Sequence, residues 1–294
     1  MRKRVLVAPD AIFMCIFQFA INSLRKDHAQ YRTVCKQWHR VCCRDLSVLR
    51  FVKLQLQKST DHDCFIIAER FNNLHCLSLS CSHLTDKGVR ALTAVTALSC
   101  LELQSRSTRT FTSDNLRILA NLKKLEKLSL HGHFSSEIDL RLDFIHELIC
   151  LRELRLRDLD ITNTSLESLE GVTRLRTLSM MCPDADLITT DRVVRVLRPL
   201  TKLQHFDMYF EDDIDLSIDA AAVIQVLSKL RSLRILRMGA ALIDDSSVQI
   251  LRAACPGITL LDVTCEALSA TGFRSYSMAA CLPACRGPCA YVHS

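Results

Sequence analysis

The sequence predicts an α/β solenoid in which each repeat supplies one strand and one helix, preceded by a short all-helical N-terminal segment. Three observations lead there. A six-residue pattern (apolar, two variable, apolar, one variable, apolar) recurs nine times along the 294 residues. The stretches between copies open on Ser, Thr or Asp and continue with apolar residues at helical spacing. Seven Gly and six Pro in the whole chain leave little material for flexible linkers, so the repeats must abut.

The strands come first. The copies read LRFVKL from Leu49, LHCLSL from Leu74, LSCLEL from Leu98, LEKLSL from Leu125 and LRELRL from Leu151. They continue with LRTLSM from Leu175, LQHFDM from Leu203, LRILRM from Leu233 and ITLLDV from Ile258. Successive starts lie 25, 24, 27, 26, 24, 28, 30 and 25 residues apart. Within each copy the third and fifth positions after the start alternate inward, as a half-buried strand requires.

The helices follow the strands, each with a capping residue at its entry. Thr85-Asp86 leads to Val89 and Leu92, and Thr112-Ser113-Asp114 to Leu116 and Leu119. Thr162 precedes Leu166 and Leu169, Thr189 precedes Val193 and Leu197, and Asp244-Asp245 precede Val248 and Leu251. A side-chain oxygen ahead of an apolar stripe satisfies the free N–H groups of a helix start. One strand plus one helix cannot bury its apolar face alone, so the units stack into a curved solenoid with the strands on the concave side.

The repeat length and pattern resemble the leucine-rich repeats, and the Ile-Thr-Asp-like entries with thiols near the strands resemble their cysteine-containing class. The resemblance covers residues 49 to about 268 and implies a horseshoe of about nine repeats. Cys76, Cys100, Cys150 and Cys255 are then expected to be small buried hydrophobes in the stack. Spread one per repeat, they do not form a metal site.

Residues before the first repeat need their own account. Pro9, Ile12, Ile16 and Phe17 form an apolar stripe with proline near a helix start, and Val34, Trp38 and Val41 form a second. Trp38 is the only tryptophan in the chain. Pro9, the Ile16-Phe17 pair and Val34-Cys35-Lys36-Gln37-Trp38 resemble an F-box. Ala8 and Ala11 stand where that family carries a leucine and an acidic residue. The resemblance implies that Pro9, Ile12, Ile16, Phe17, Val34, Cys35 and Trp38 contact, or directly support, a Skp-type adaptor, and through it a cullin scaffold. The domain expectation is an F-box-like segment over 1–46, a solenoid over 47–268 and a C-terminal cap or tail over 269–294. Without the resemblance, the same helices would serve as a cap on the first repeat's core.

A solenoid binds partners on its concave sheet, so the outward strand positions are the candidate site. The middle of that face is basic and its end mixed, and Arg155, Arg157, Tyr209 and Arg237 are the expected target-binding residues, being of the types that anchor interfaces. The longest repeat contains Glu211, Asp212, Asp213 and Asp215, a solvated acidic loop or a selector of basic partners. In the tail, Cys281, Cys285, Cys289 and His293 lie four apart, but Pro283, Gly287 and Pro288 break any continuous helix there. No metal and no cofactor is expected.

Composition narrows the function. With 49% hydrophobic and 24% charged residues the chain buries a large core, and its net charge of +6 is dispersed. No phosphate loop, HExxH or Gly-x-Ser-x-Gly is present, which disfavours an enzyme. The basic residues form no aromatic-laced stripe, which disfavours nucleic acid. The apolar run from Ala11 to Ile21 is interrupted upstream by Pro9-Asp10 and is too short to cross a bilayer. Fifteen scattered cysteines, an odd number, fit a reducing compartment, so a cytoplasmic or nuclear location is expected. The sequence therefore points to a non-catalytic substrate receptor of an SCF-type ubiquitin ligase, with a plain leucine-rich-repeat interaction scaffold as the alternative.

Overall fold

The computed structural model describes residues 53–263 except 57–58, 71–73, 82, 106–115, 133–140, 160, 183–187, 211–217 and 239–244. Pro9, Ile12, Ile16, Phe17, Val34, Cys35 and Trp38 lie outside the described residues, as do the acidic run at 211–215 and the Cys281–His293 tail.

Among the described residues, nine strands form one parallel sheet in strict chain order. They are β1 (Lys53–Leu56), β2 (Cys76–Ser80), β3 (Cys100–Ser105), β4 (Lys127–Gly132), β5 (Glu153–Arg157), β6 (Thr177–Cys182), β7 (His205–Phe210), β8 (Ile235–Met238) and β9 (Leu260–Val263). The helices are α1 (Asp61–Arg70), α2 (Asp86–Leu92), α3 (Asn163–Glu167), α4 (Thr190–Leu197), α5 (Ala220–Leu227) and α6 (Asp245–Ala254). Two 3-10 turns, Ile118–Asn121 and Asp143–Glu147, complete the set.

The register turns the repeat into ladders. One inward row runs Leu77, Leu101, Leu128, Leu154, Leu178, Phe206 and Leu236 across successive strands. A second runs Leu79, Leu103, Leu130, Leu156, Met180, Met208 and Met238. All of these are buried, and the stripes Val89/Leu92, Leu166/Leu169, Val193/Leu197, Val223/Leu227 and Val248/Leu251 close the core from the helical side. Burying each such side chain contributes about 1.5–3 kcal/mol before chain entropy is set against it. Strands stack about 4.8 Å apart whereas packed helices need about 8–10 Å, so the stack bends with the sheet on the inside. Its other face is left open and concave.

Two expectations are corrected. In the first repeat the ladder positions fall two residues later than LRFVKL from Leu49 implies, at Leu54 and Leu56, which pair with Leu77 and Leu79. A two-residue slip leaves every side chain on the same face, so LRFVKL and FVKLQL fit the pattern equally well. In the connection before β4, Leu116 and Arg117 are α-helical and run into the Ile118–Asn121 3-10 turn, and the described part of the connection before β5 carries the Asp143–Glu147 3-10 turn. Of the thiols expected in the core, only Cys255 is there: Cys76 and Cys100 are half-buried on the open face, and Cys150 is exposed. Among the described residues, the other buried thiols are Cys64 and Cys81.

At Gly132 φ is 91° and a Cβ would collide with the Ser105 carbonyl oxygen of β3, so the exit of β4 requires glycine.

Candidate functional site

The open face consists of three outward rows. The first runs Cys76, Cys100, Lys127, Glu153, Thr177, His205 and Ile235. The middle row runs Ser78, Glu102, Ser129, Arg155, Ser179, Asp207 and Arg237. The third runs Ser80, Gln104, His131, Arg157, Met181 and Tyr209. Alternation along each strand puts these residues here, since their immediate neighbours are the buried ladders.

All four expected target-binding residues lie on this face, in two adjacent rows. Arg155 and Arg237 share the middle row, separated by Ser179 and Asp207. Arg157 and Tyr209 share the third row, with Met181 between them. At about 4.8 Å per strand, Arg157 and Tyr209 stand roughly 10 Å apart and Arg155 and Arg237 roughly 14 Å. Arg155 and Arg157 are exposed, and Tyr209 and Arg237 are half-buried. A basic patch thus grades into a thioether and a phenol, then into a charge pair of opposite sign.

Electrostatics divide the patch. Glu153 accepts from Lys127 Nζ at 3.0 Å and from Arg155 at 2.7 Å. That hydrogen bond to Glu153 is the main reason the Lys127 pKa is raised. These pairs are exposed to water and contribute little to stability, but they fix the direction of the Arg155 guanidinium. Arg157 and Arg237 have no ion pair among the described residues. Asp207 Oδ1 is buried and finds no hydrogen-bond donor. An unsatisfied buried acceptor costs about 1–3 kcal/mol, and on an open face a partner's N–H group is able to relieve it.

Strand alternation puts Asp207 on the face, but nothing local in the sequence singles it out, because the burial of its Oδ1 is a property of the neighbouring strands. Sequence reasoning also missed Asp158, which bonds His131 Nε2 through Oδ2 at 2.5 Å and holds the exit of β5 at a φ of 52°. The available signal was an aspartate directly after a strand, a residue type that tolerates the left-handed region.

The open parallel sheet, the leucine ladders and the helical outer layer define a leucine-rich-repeat solenoid. No protein-family model matches the chain, and no curated protein sequence matches it. Solved structures do. A chain of the yeast Rad7 and Elc1 complex superposes with a TM-score of 0.59 at 17% identity, over 91% of this chain and 65% of that one. The protein therefore spans just under two thirds of that neighbour's length. A chain of the TLR13–ssRNA13 complex gives a TM-score of 0.49 at 13% identity, covering 77% of this chain and 32% of that one. An internalin of Listeria monocytogenes gives 0.40 at 16% identity, covering 81% and 77%. At these identities the likeness is one of fold, and the yeast chain carries it.

Proposed function

We propose that this protein is the non-catalytic recognition subunit of an SCF-type ubiquitin ligase, working in the cytoplasm or nucleus. In this reading the segment 1–46 docks a Skp-type adaptor, which links it to a cullin scaffold. The solenoid over 47–268 holds a target protein on its concave face, and 269–294 forms the terminal cap or tail. Ubiquitin transfer belongs to partner subunits. The role of this chain is to raise the effective concentration of a target beside the conjugating machinery.

The observation that carries the recognition role is the open face itself, where Arg155, Arg157, Tyr209 and Arg237 share two adjacent rows and Asp207 keeps an unsatisfied oxygen. The adaptor role rests on the Pro9…Ile16-Phe17…Val34-Cys35-Lys36-Gln37-Trp38 string ahead of the repeats. Likeness to a chain from a two-protein complex is consistent with both. Ala8 and Ala11, which replace the family's leucine and acidic residue, favour the second reading, an interaction scaffold whose N-terminal helices only cap the solenoid.

Co-expression of the full chain with a Skp-type adaptor separates the two. The receptor reading predicts stoichiometric recovery of the adaptor, abolished by Trp38→Ala and by removal of residues 1–45 while circular dichroism shows the repeats intact. Failure to recover adaptor with a folded wild-type chain would establish the cap reading instead.

A further inference from the structure

The two edges of the sheet differ in charge. Each repeat returns from its helical side to the next strand through a short turn, and parallel topology places all of these turns on one edge, where the strands begin. From the turn before β4 to the turn before β8, they hold ten Lys and Arg against Glu126 and Glu170. Every one of the ten is exposed. The connections leaving β5, β6 and β7 are acidic in sequence instead, with Asp158 and Asp160, Asp184 and Asp186, and Glu211, Asp212, Asp213 and Asp215.

Apart from Lys123, the basic groups are stacked without an acidic partner among the described residues. Arg176 N donates to Arg152 O at 2.7 Å, so these two arginines sit on directly adjacent repeats. Arg174 and Lys202 occupy equivalent positions of the next adjacent pair, one residue before Leu175 and Leu203. Arg174 is held by the Ile149 carbonyl and Arg234 by the carbonyls of Leu233 and Arg231. Lys123 pairs with Glu147 at 3.0 Å. The side chains of Arg152, Arg176, Arg198, Lys202, Lys229 and Arg231 have no hydrogen-bond or ion-pair partner among the described residues. Like charges held one strand spacing apart repel one another, and an anion laid along them removes that repulsion.

We infer that this edge is a second interaction surface, separate from the concave face, and that it takes an acidic segment of a partner protein. An extended run of Asp and Glu advances about 3.3 Å per residue, less than the strand spacing of about 4.8 Å, so it supplies at least one carboxylate for each repeat it passes along the edge. No aromatic side chain occurs in the five turns, so a single nucleic-acid strand has no stacking platform. An edge of turns also offers no helix or β-ribbon to enter a duplex groove.

Fluorescence anisotropy on the full chain tests this with a labelled 16-residue Asp/Glu-rich peptide, a 20-base-pair DNA duplex and a 20-nucleotide single strand. Arg176→Glu/Lys202→Glu/Arg231→Glu should weaken the peptide by about tenfold near 0.1 M salt and flatten its salt dependence. Arg155→Glu/Arg157→Glu should leave the peptide bound as before, which keeps the result independent of the concave-face reading. Equal peptide affinity in the folded edge variant, no peptide binding by the wild type, or tighter binding of either nucleic acid would overturn the inference.

Discussion

Three buried thiols set the chemistry of single residues. Burial pushes Cys81 up to about 12 and raises Cys64 and Cys255 as well. Neighbouring Cys81, Asp61 and Asp63 add to the rise at Cys64. A thiol that keeps its proton in the folded state and loses it near pH 9 in the unfolded state contributes its full stability below pH 9. Above that the unfolded chain binds fewer protons, so the contribution declines between pH 9 and about 12. The urea midpoint should therefore be flat with respect to these groups from pH 7 to 9 and fall above it. At pH 8 iodoacetamide should label exposed Cys150 and spare Cys64, Cys81 and Cys255 until the chain unfolds, as peptide mass spectrometry would report. Labelling of Cys64 at the rate of Cys150 in the native protein would contradict this. Thiol burial was poorly legible in the sequence, since a cysteine one position from a ladder leucine points to the open face, and only the register separates the two.

Helix starts are stitched from repeat to repeat. Asp61 accepts from Thr85 N at 2.8 Å and Thr85 Oγ1 at 2.6 Å, joining α1 to α2. Asn163 Oδ1 repeats the contact with Thr189 N and Oγ1 at 2.9 and 3.2 Å, joining α3 to α4. Thr162 closes a capping box with Ser165, and Asp219 caps α5 through Ala222 N. Thr189, expected as a side-chain cap, makes no such bond in α4 and is the donor to Asn163 instead. Asp61→Ala should lower stability by about 1–2 kcal/mol in urea unfolding, and Asp61→Asn should recover most of it. Asn163 already performs the same acceptor role, so equal loss in both variants would refute the stitch. The capping residues were legible because their chemistry is local. The stitches were not, because they join residues 24 and 26 positions apart. The strands were legible apart from the two-residue slip in β1, which period-2 alternation conceals.

At the scale of the whole molecule, strands narrower than helices curve the sheet inward and leave three polar rows open to a partner. The solenoid and the placement of Arg155, Arg157, Tyr209 and Arg237 were legible from the nine-fold repeat, because alternation decides which side each residue faces. Glu153's hold on Arg155 and the unsatisfied Asp207 oxygen depended on neighbouring strands and emerged only from the register. The central claim is that recognition takes place on this concave face. Its most direct measurement is site-specific photo-crosslinking in cells, with the probe at Tyr209 on the open face or at exposed Ile250 on the helical side. The account predicts that position 209 traps one defined protein, that Arg155→Glu/Arg157→Glu abolishes the adduct, and that position 250 does not trap that protein. Capture of the same protein from position 250, or an adduct at 209 indifferent to the arginines, would contradict it.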